Sequence, residues 1–188
     1  MLMRFSNWLE RISTGATLVL SLGLYVLFGF GVMPNLGHFI PALPEALGPL
    51  DLMFAYTPAE AFERIAAYGP DGRLAYALVS LTVDVIYPII YTVAFGVLIT
   101  VLARHVFASG SAALRLNLLP VGIFVFDMCE NVSVVTLLMI YPTQPIGLAL
   151  AASAFTTVKW IFAGTTIFCV LALSLAARVR ARRSSSPR

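Results

Sequence analysis

Four long apolar runs, near residues 12 to 34, 74 to 103, 117 to 141 and 146 to 176, alternate with shorter polar stretches along the chain. A hydrocarbon core of about 30 Å takes roughly 20 apolar residues per spanning helix. Each run meets that length, so the pattern predicts an all-α polytopic membrane protein with four transmembrane helices in a bundle. The first run follows Arg4 and Arg11, as a signal peptide would, but it is too long and no small-residue cleavage site closes it. It is expected to stay as an anchor, with Trp8 at the interface before it.

The connection over 35 to 73 breaks the pattern. Pro41, Pro44 and Pro49 mark 41 to 50 as a loop. In Thr57-Pro58-Ala59-Glu60, threonine can cap a helix, proline suits its first position and glutamate can close a capping box. Gly69-Pro70 then stops that helix. Phe62, Ile65 and Ala66 share one face while Glu60, Glu63 and Arg64 take the others, which predicts one short interfacial helix in the outer loop, a connector or a lid. The whole of 1 to 177 reads as a single four-helix domain and 178 to 188 as a basic disordered tail.

Composition agrees: 60% hydrophobic and 11% charged residues, with a mean hydropathy of +0.91, lie far from the roughly 25% charge of soluble domains. Arg4, Arg11, Arg104, Arg115 and the arginines from Arg178 to Arg188 all fall on one side of the predicted helices. By the positive-inside rule that side is cytoplasmic, so both termini are expected inside, in what reads as a bacterial inner membrane. Glu45, Asp51, Glu60, Glu63 and Asp71, against Arg64 and Arg73, belong to the opposite side. The basic tail, with Ser184, Ser185 and Ser186, is expected to attract anionic membrane lipid and not nucleic acid.

Against this apolar background four ionisable residues stand inside the runs: Asp84, Asp127, Glu130 and Lys159. Charges in lipid are costly and mark function by default. Counting inward from the outer helix ends, all four lie about 10 to 14 residues deep, roughly 15 to 21 Å at 1.5 Å per residue. Three helices thus deliver charge to one level, and the four residues are expected to meet as an acid/base cluster. Helical spacing adds neighbours: Ser80, Asp84, Tyr87 and Tyr91 on one stripe, Asp127, Glu130 and Asn131 on another, Thr156 and Thr166 on the face of Lys159, and Thr14, Thr17, Ser21 and Tyr25 on the first helix. Such stripes must turn inward, because lipid offers no hydrogen bonds. Tyr87, Tyr91, Asn131, Ser80 and Tyr25 are therefore the candidate substrate-binding residues. Pro88 frees the carbonyl of Asp84 and is expected to kink or open the helix there.

Pairing with Lys159 would neutralise one carboxylate and leave two more. This excess of acid suits a general acid, a proton carrier or a cation site better than a plain structural pair. The run Gly69-Pro-Asp-Gly-Arg73, then Tyr76, Asp84-x-x-Tyr87-Pro88-x-x-Tyr91 and Asp127-x-x-Glu130-Asn131 resembles a group of uncharacterised small bacterial four-helix membrane proteins. The resemblance implies no activity.

Several chemistries lack their residues. His38 and His105 lie near the ends of apolar runs, and Cys129 and Cys169 form no CxxC, so a haem or zinc centre has no ligand set. Nucleotide and flavin motifs, GxSxG, HExxH and the DDxxD motif of membrane prenyltransferases do not occur. Gly29, Gly31, Ala151, Ala152, Ser153 and Ala154 read as close-packing surfaces, within the chain or between copies in a homo-oligomer. Trp160, next to Lys159, either faces lipid or lines the pocket, and lipid is the expected side. The functions left are a membrane-embedded enzyme or binding protein for a lipid-soluble or amphiphilic small molecule, a proton- or cation-coupled carrier, and a structural protein braced by its charges.

Overall fold

Thr57 starts the short helix of the outer connection as its side chain demands. Its hydroxyl accepts from the Glu60 N–H at 3.3 Å, and the Glu60 carboxylate accepts from the Thr57 N–H at 2.7 Å. That backbone hydrogen bond holds Glu60 below its ordinary carboxylate range. The chain is a computed structural model that describes residues 1–36 and 48–184. Pro41, Pro44, His38, Glu45, Ser185, Ser186 and Arg188 lie outside the described residues. Every regular element described is a helix. Four helical stretches are long and apolar enough to cross a membrane, Gly15–Asn35, Gly69–Val106, Ala112–Met139 and Ile146–Arg183, and they pack together as an integral membrane protein.

The first stretch is preceded by a separate amphipathic helix, α1 (Leu2–Ile12), where the pattern gave only a flank. It ends because Thr14 caps the next helix, α2 (Gly15–Val26), by accepting from the Thr17 N–H at 3.2 Å. Thr14 is thus an exposed cap and not part of an inward stripe. Beyond Val26 the helix widens into a π-helical stretch, Leu27–Val32, and then tightens at Met33–Asn35. Pro34 explains the change, since it lacks an N–H and its ring crowds the carbonyl of Phe30.

The outer helix is α3 (Pro58–Ala67). It buries Ala61 and Ile65, while Ala66, expected on that face, is exposed. Gly69, at φ +67°, turns the chain directly into the second spanning stretch. That stretch consists of α4 (Gly69–Leu81) and α5 (Val83–Val106), divided at Thr82. The expected opening at Pro88 is therefore corrected: α5 runs through Pro88, and the break comes at Thr82. The Thr82 hydroxyl donates to the Leu78 carbonyl at 2.6 Å, a local bond that competes with the helical ladder and bends it.

A tight helical segment, Ala112–Leu118, leads into α6 (Leu119–Met139), and α7 (Ile146–Ser184) completes the bundle. The tail expected to be disordered from 178 is helical as far as Ser184. Alanine and arginine are strong helix formers, and the Arg180 guanidinium donates to the Val106 carbonyl at the end of α5. Arg104 likewise donates to the carbonyls of Ser13 and Glu10 at the end of α1. These cations satisfy carbonyls that a helix terminus leaves open.

Two apolar clusters hold the ends of the bundle. One joins Leu50, Tyr56, Ile65, Tyr76, Leu137 and Ala152 from the outer connection and α3, α4, α6 and α7. The other joins Ile99, Ala103, Leu114 and Leu173. Near the latter, Asn117, fully buried, accepts from the Ser6 hydroxyl at 2.8 Å and donates to the Thr100 hydroxyl at 3.1 Å, which ties α1 to α5. On α5 and α7 the ionisable residues stand between these two cores.

Candidate functional site

Asp127 and Glu130 are three residues apart on α6 and so share a face. Lys159, opposite on α7 and the only lysine in the chain, reaches both. Its ammonium lies 3.1 Å from Asp127 Oδ1 and in direct contact with Glu130 Oε2. The other oxygens are also occupied. The Tyr91 hydroxyl of α5 donates to Asp127 Oδ2 at 2.8 Å, and the Thr156 hydroxyl donates to Glu130 Oε1 at 2.5 Å. All three charged groups are buried, Glu130 completely.

Asp84 comes to the same place by another route. It occupies the first turn of α5, just past the break at Thr82. Pro88 has no N–H to offer the Asp84 carbonyl, and the Asn131 amide of α6 donates to it at 3.2 Å instead. Asn131 thus fastens α5 to α6 and does not line the cavity. Asp84 is only 7% exposed and makes no ion pair among the described residues.

Between these groups lies a cavity of about 240 Å³. Asp84, Asp127 and Lys159 line it, and so do Tyr25, Tyr87 and Tyr91. Tyr25 stacks on Tyr87 with centroids 6.0 Å apart and planes 8° apart, and Tyr87 meets Tyr91 nearly at right angles at 5.5 Å. Gly29 permits this close approach, since a Cβ there would stand 2.8 Å from the Tyr87 hydroxyl oxygen. Ser80 does not line the cavity: it lies on α4, beyond the break, buried with no partner for its hydroxyl among the described residues. Glu130 also stays outside the lining, behind Lys159.

The pattern missed several lining residues. Asp51, read as one charge of the outer connection, lines the cavity from a single helical turn, Leu50–Leu52. Tyr76 donates to its carboxylate at 2.7 Å. Trp160 is exposed, as expected, and lines the cavity as well: its indole N–H donates to the Asp51 carbonyl at 3.2 Å. The signal for Asp51 was an isolated acid between apolar neighbours in Leu50-Asp-Leu-Met-Phe54. Thr166 lines the cavity with a buried hydroxyl that has no hydrogen-bond partner among the described residues. Nearby Tyr56, also buried, has its phenol pushed up to about 12 by that burial and so remains neutral.

Leu52, Trp160 and Ile167 line the cavity and are also exposed, which places its mouth beside α7 and the outer connection. No three histidine, cysteine, aspartate or glutamate side chains among the described residues are grouped to hold a metal ion. No protein-family model, curated protein or solved structure matches this chain.

Proposed function

We propose that the chain is a membrane-embedded enzyme or binding protein that takes a lipid-soluble or amphiphilic small molecule into the cavity at Asp84, Asp127 and Lys159. The observation that carries this reading is the joining of a buried ionisable cluster to a cavity whose mouth is apolar and exposed. A cluster built only to brace helices has no use for that space. In this reading Asp127, which faces the cavity, is the acid/base candidate, with Lys159 and Tyr91 fixing its oxygens. Glu130 and Thr156 position the lysine from behind. The protein resides in a bacterial inner membrane with both termini cytoplasmic, which the arginines support: α1, Arg104 and Arg180 gather at one end of the bundle.

A second reading, a purely structural brace, draws on one observation. Both carboxylates that touch Lys159 are otherwise fully hydrogen-bonded. The two readings separate on a variant that fills the cavity without touching a charge. Ala163 lines the cavity from α7. Native mass spectrometry of gently extracted wild type should show a bound small molecule that Ala163→Trp lacks. Wild-type protein free of any adduct, or the same adduct on both proteins, would favour the brace.

A further inference from the structure

The cavity's chemistry narrows its ligand; this step rests on the ligand-site reading above. Three carboxylates, Asp51, Asp84 and Asp127, line the space against one amine, Lys159. That amine is already engaged by Asp127 and by Glu130 behind it. Asp84 has no such partner among the described residues, although it is buried at 7% exposure in the first turn of α5. A cation brought into the cavity would meet a carboxylate that no cation among the described residues contacts.

The walls make the same demand independently. Aromatic faces attract cations through their ring quadrupoles, and aromatic cages are a recurring solution for quaternary ammonium ions. Here Tyr25 and Tyr87 stack parallel with Tyr91 set across Tyr87, and Trp160, whose ring centroid already lies 6.0 Å from the Lys159 ammonium, stands on the opposite helix. Thr166 adds a third observation. The residue lines the cavity at 1% exposure, and its buried hydroxyl lacks a partner among the described residues. Its lone pairs can accept from an N–H or a polarised C–H of a bound head group.

A metal ion fits poorly, because the described acids are not grouped to share one. Size also matters. A cavity of about 240 Å³ is below the roughly 300–1,000 Å³ that encloses a drug-sized ligand. It suits a head group whose apolar remainder extends past the exposed Leu52 and Ile167.

We infer that the space between Asp51, Asp84 and the rings of Tyr25, Tyr87 and Trp160 holds the ammonium head of a singly charged cationic amphiphile, with its tail directed into lipid. A head group that also carries phosphate, as in a zwitterionic lipid, would bring a negative charge against three aspartates. The proposal is therefore for an unaccompanied cation.

Trp160 provides the assay, since Trp8→Phe leaves it as the sole tryptophan. In maltoside micelles, Trp8→Phe protein is titrated with dodecyltrimethylammonium, its uncharged tert-butyl analogue, dodecyl sulfate and dodecylphosphocholine, each counted as mole fraction in the micelle. The expected result is a saturable change in Trp160 emission with the ammonium compound, at a mole fraction roughly tenfold lower than for the other three. Asp84→Asn and Tyr25→Leu should each weaken it by a similar factor. Equal response to the tert-butyl analogue, tighter binding of the sulfate, or equal binding of the phosphocholine would overturn the inference and leave the ligand-site reading standing. If none of the four gives a saturable change, the ligand-site reading falls as well. Should Asp84→Asn not fold, Tyr25→Leu and the ligand series on the Trp8→Phe protein decide.

Discussion

Lys159→Met is expected to cost about 3–5 kcal/mol of stability, the usual loss when one partner of a buried ion pair is removed. The single amine lies between Asp127 and Glu130, both buried, and its removal leaves two carboxylates facing each other with no cation. At roughly 2–4 °C per kcal/mol for a chain of this size, the thermal midpoint in a fixed detergent should fall by about 6–20 °C. The loss belongs to the orphaned charges and not to the missing lysine stem. Adding Asp127→Asn and Glu130→Gln to Lys159→Met should therefore recover most of it, because Tyr91 and Thr156 still find oxygens to bond. A single variant as stable as wild type, or a triple variant no better than the single, would show that the three side chains do not meet as described.

Gly122→Leu is the second large effect. A Cβ at Gly122 would stand 2.4 Å from two ring carbons of Phe162 on α7, well inside contact distance. Phe162 has little room to retreat, because it stacks on Phe126 at 5.7 Å, next to Asp127. A larger side chain must therefore push α6 and α7 apart where they carry Asp127, Glu130 and Lys159. Overpacking of this kind costs about 1–3 kcal/mol and occasionally more; the upper end is expected here. Phe162→Ala in the same protein should relieve part of the strain, seen as a favourable coupling in a double-mutant cycle on thermal midpoints. Strict additivity would mean that the two helices do not approach at this point.

The four spanning helices were legible because hydropathy and length suffice for them. Four helices packed together follow from the same pattern, and counting at a fixed rise per residue put Asp84, Asp127, Glu130 and Lys159 at one level; Lys159 meets Asp127 and Glu130, and Asp84 lines the cavity beside them. The capping box at Thr57 was equally plain, being a local exchange of two hydrogen bonds. What escaped the pattern depended on contacts distant in the chain. Asp51 reaches the cavity only because Tyr76, 25 positions on, holds its carboxylate. Trp160 is exposed as expected, yet its indole also bonds the Asp51 carbonyl, 109 positions away. The Ser6, Thr100 and Asn117 node spans 111 positions and carries no local signature. The break at Thr82 was masked by Pro88, the stronger helix breaker on paper. There Asn131 supplies the donor that proline lacks, so the helix holds at Pro88 and gives way at Thr82.

The central claim is that the ionisable cluster borders a cavity that holds a ligand entering from lipid. The most direct test is a density map of the protein in lipid nanodiscs, detailed enough to resolve side chains. The account predicts elongated non-protein density between Tyr25, Asp84, Lys159 and Trp160, continuing outward past Ile167. A map in which α2 and α7 close on each other, with Lys159 sealed between Asp127 and Glu130 and no space beside them, would contradict it.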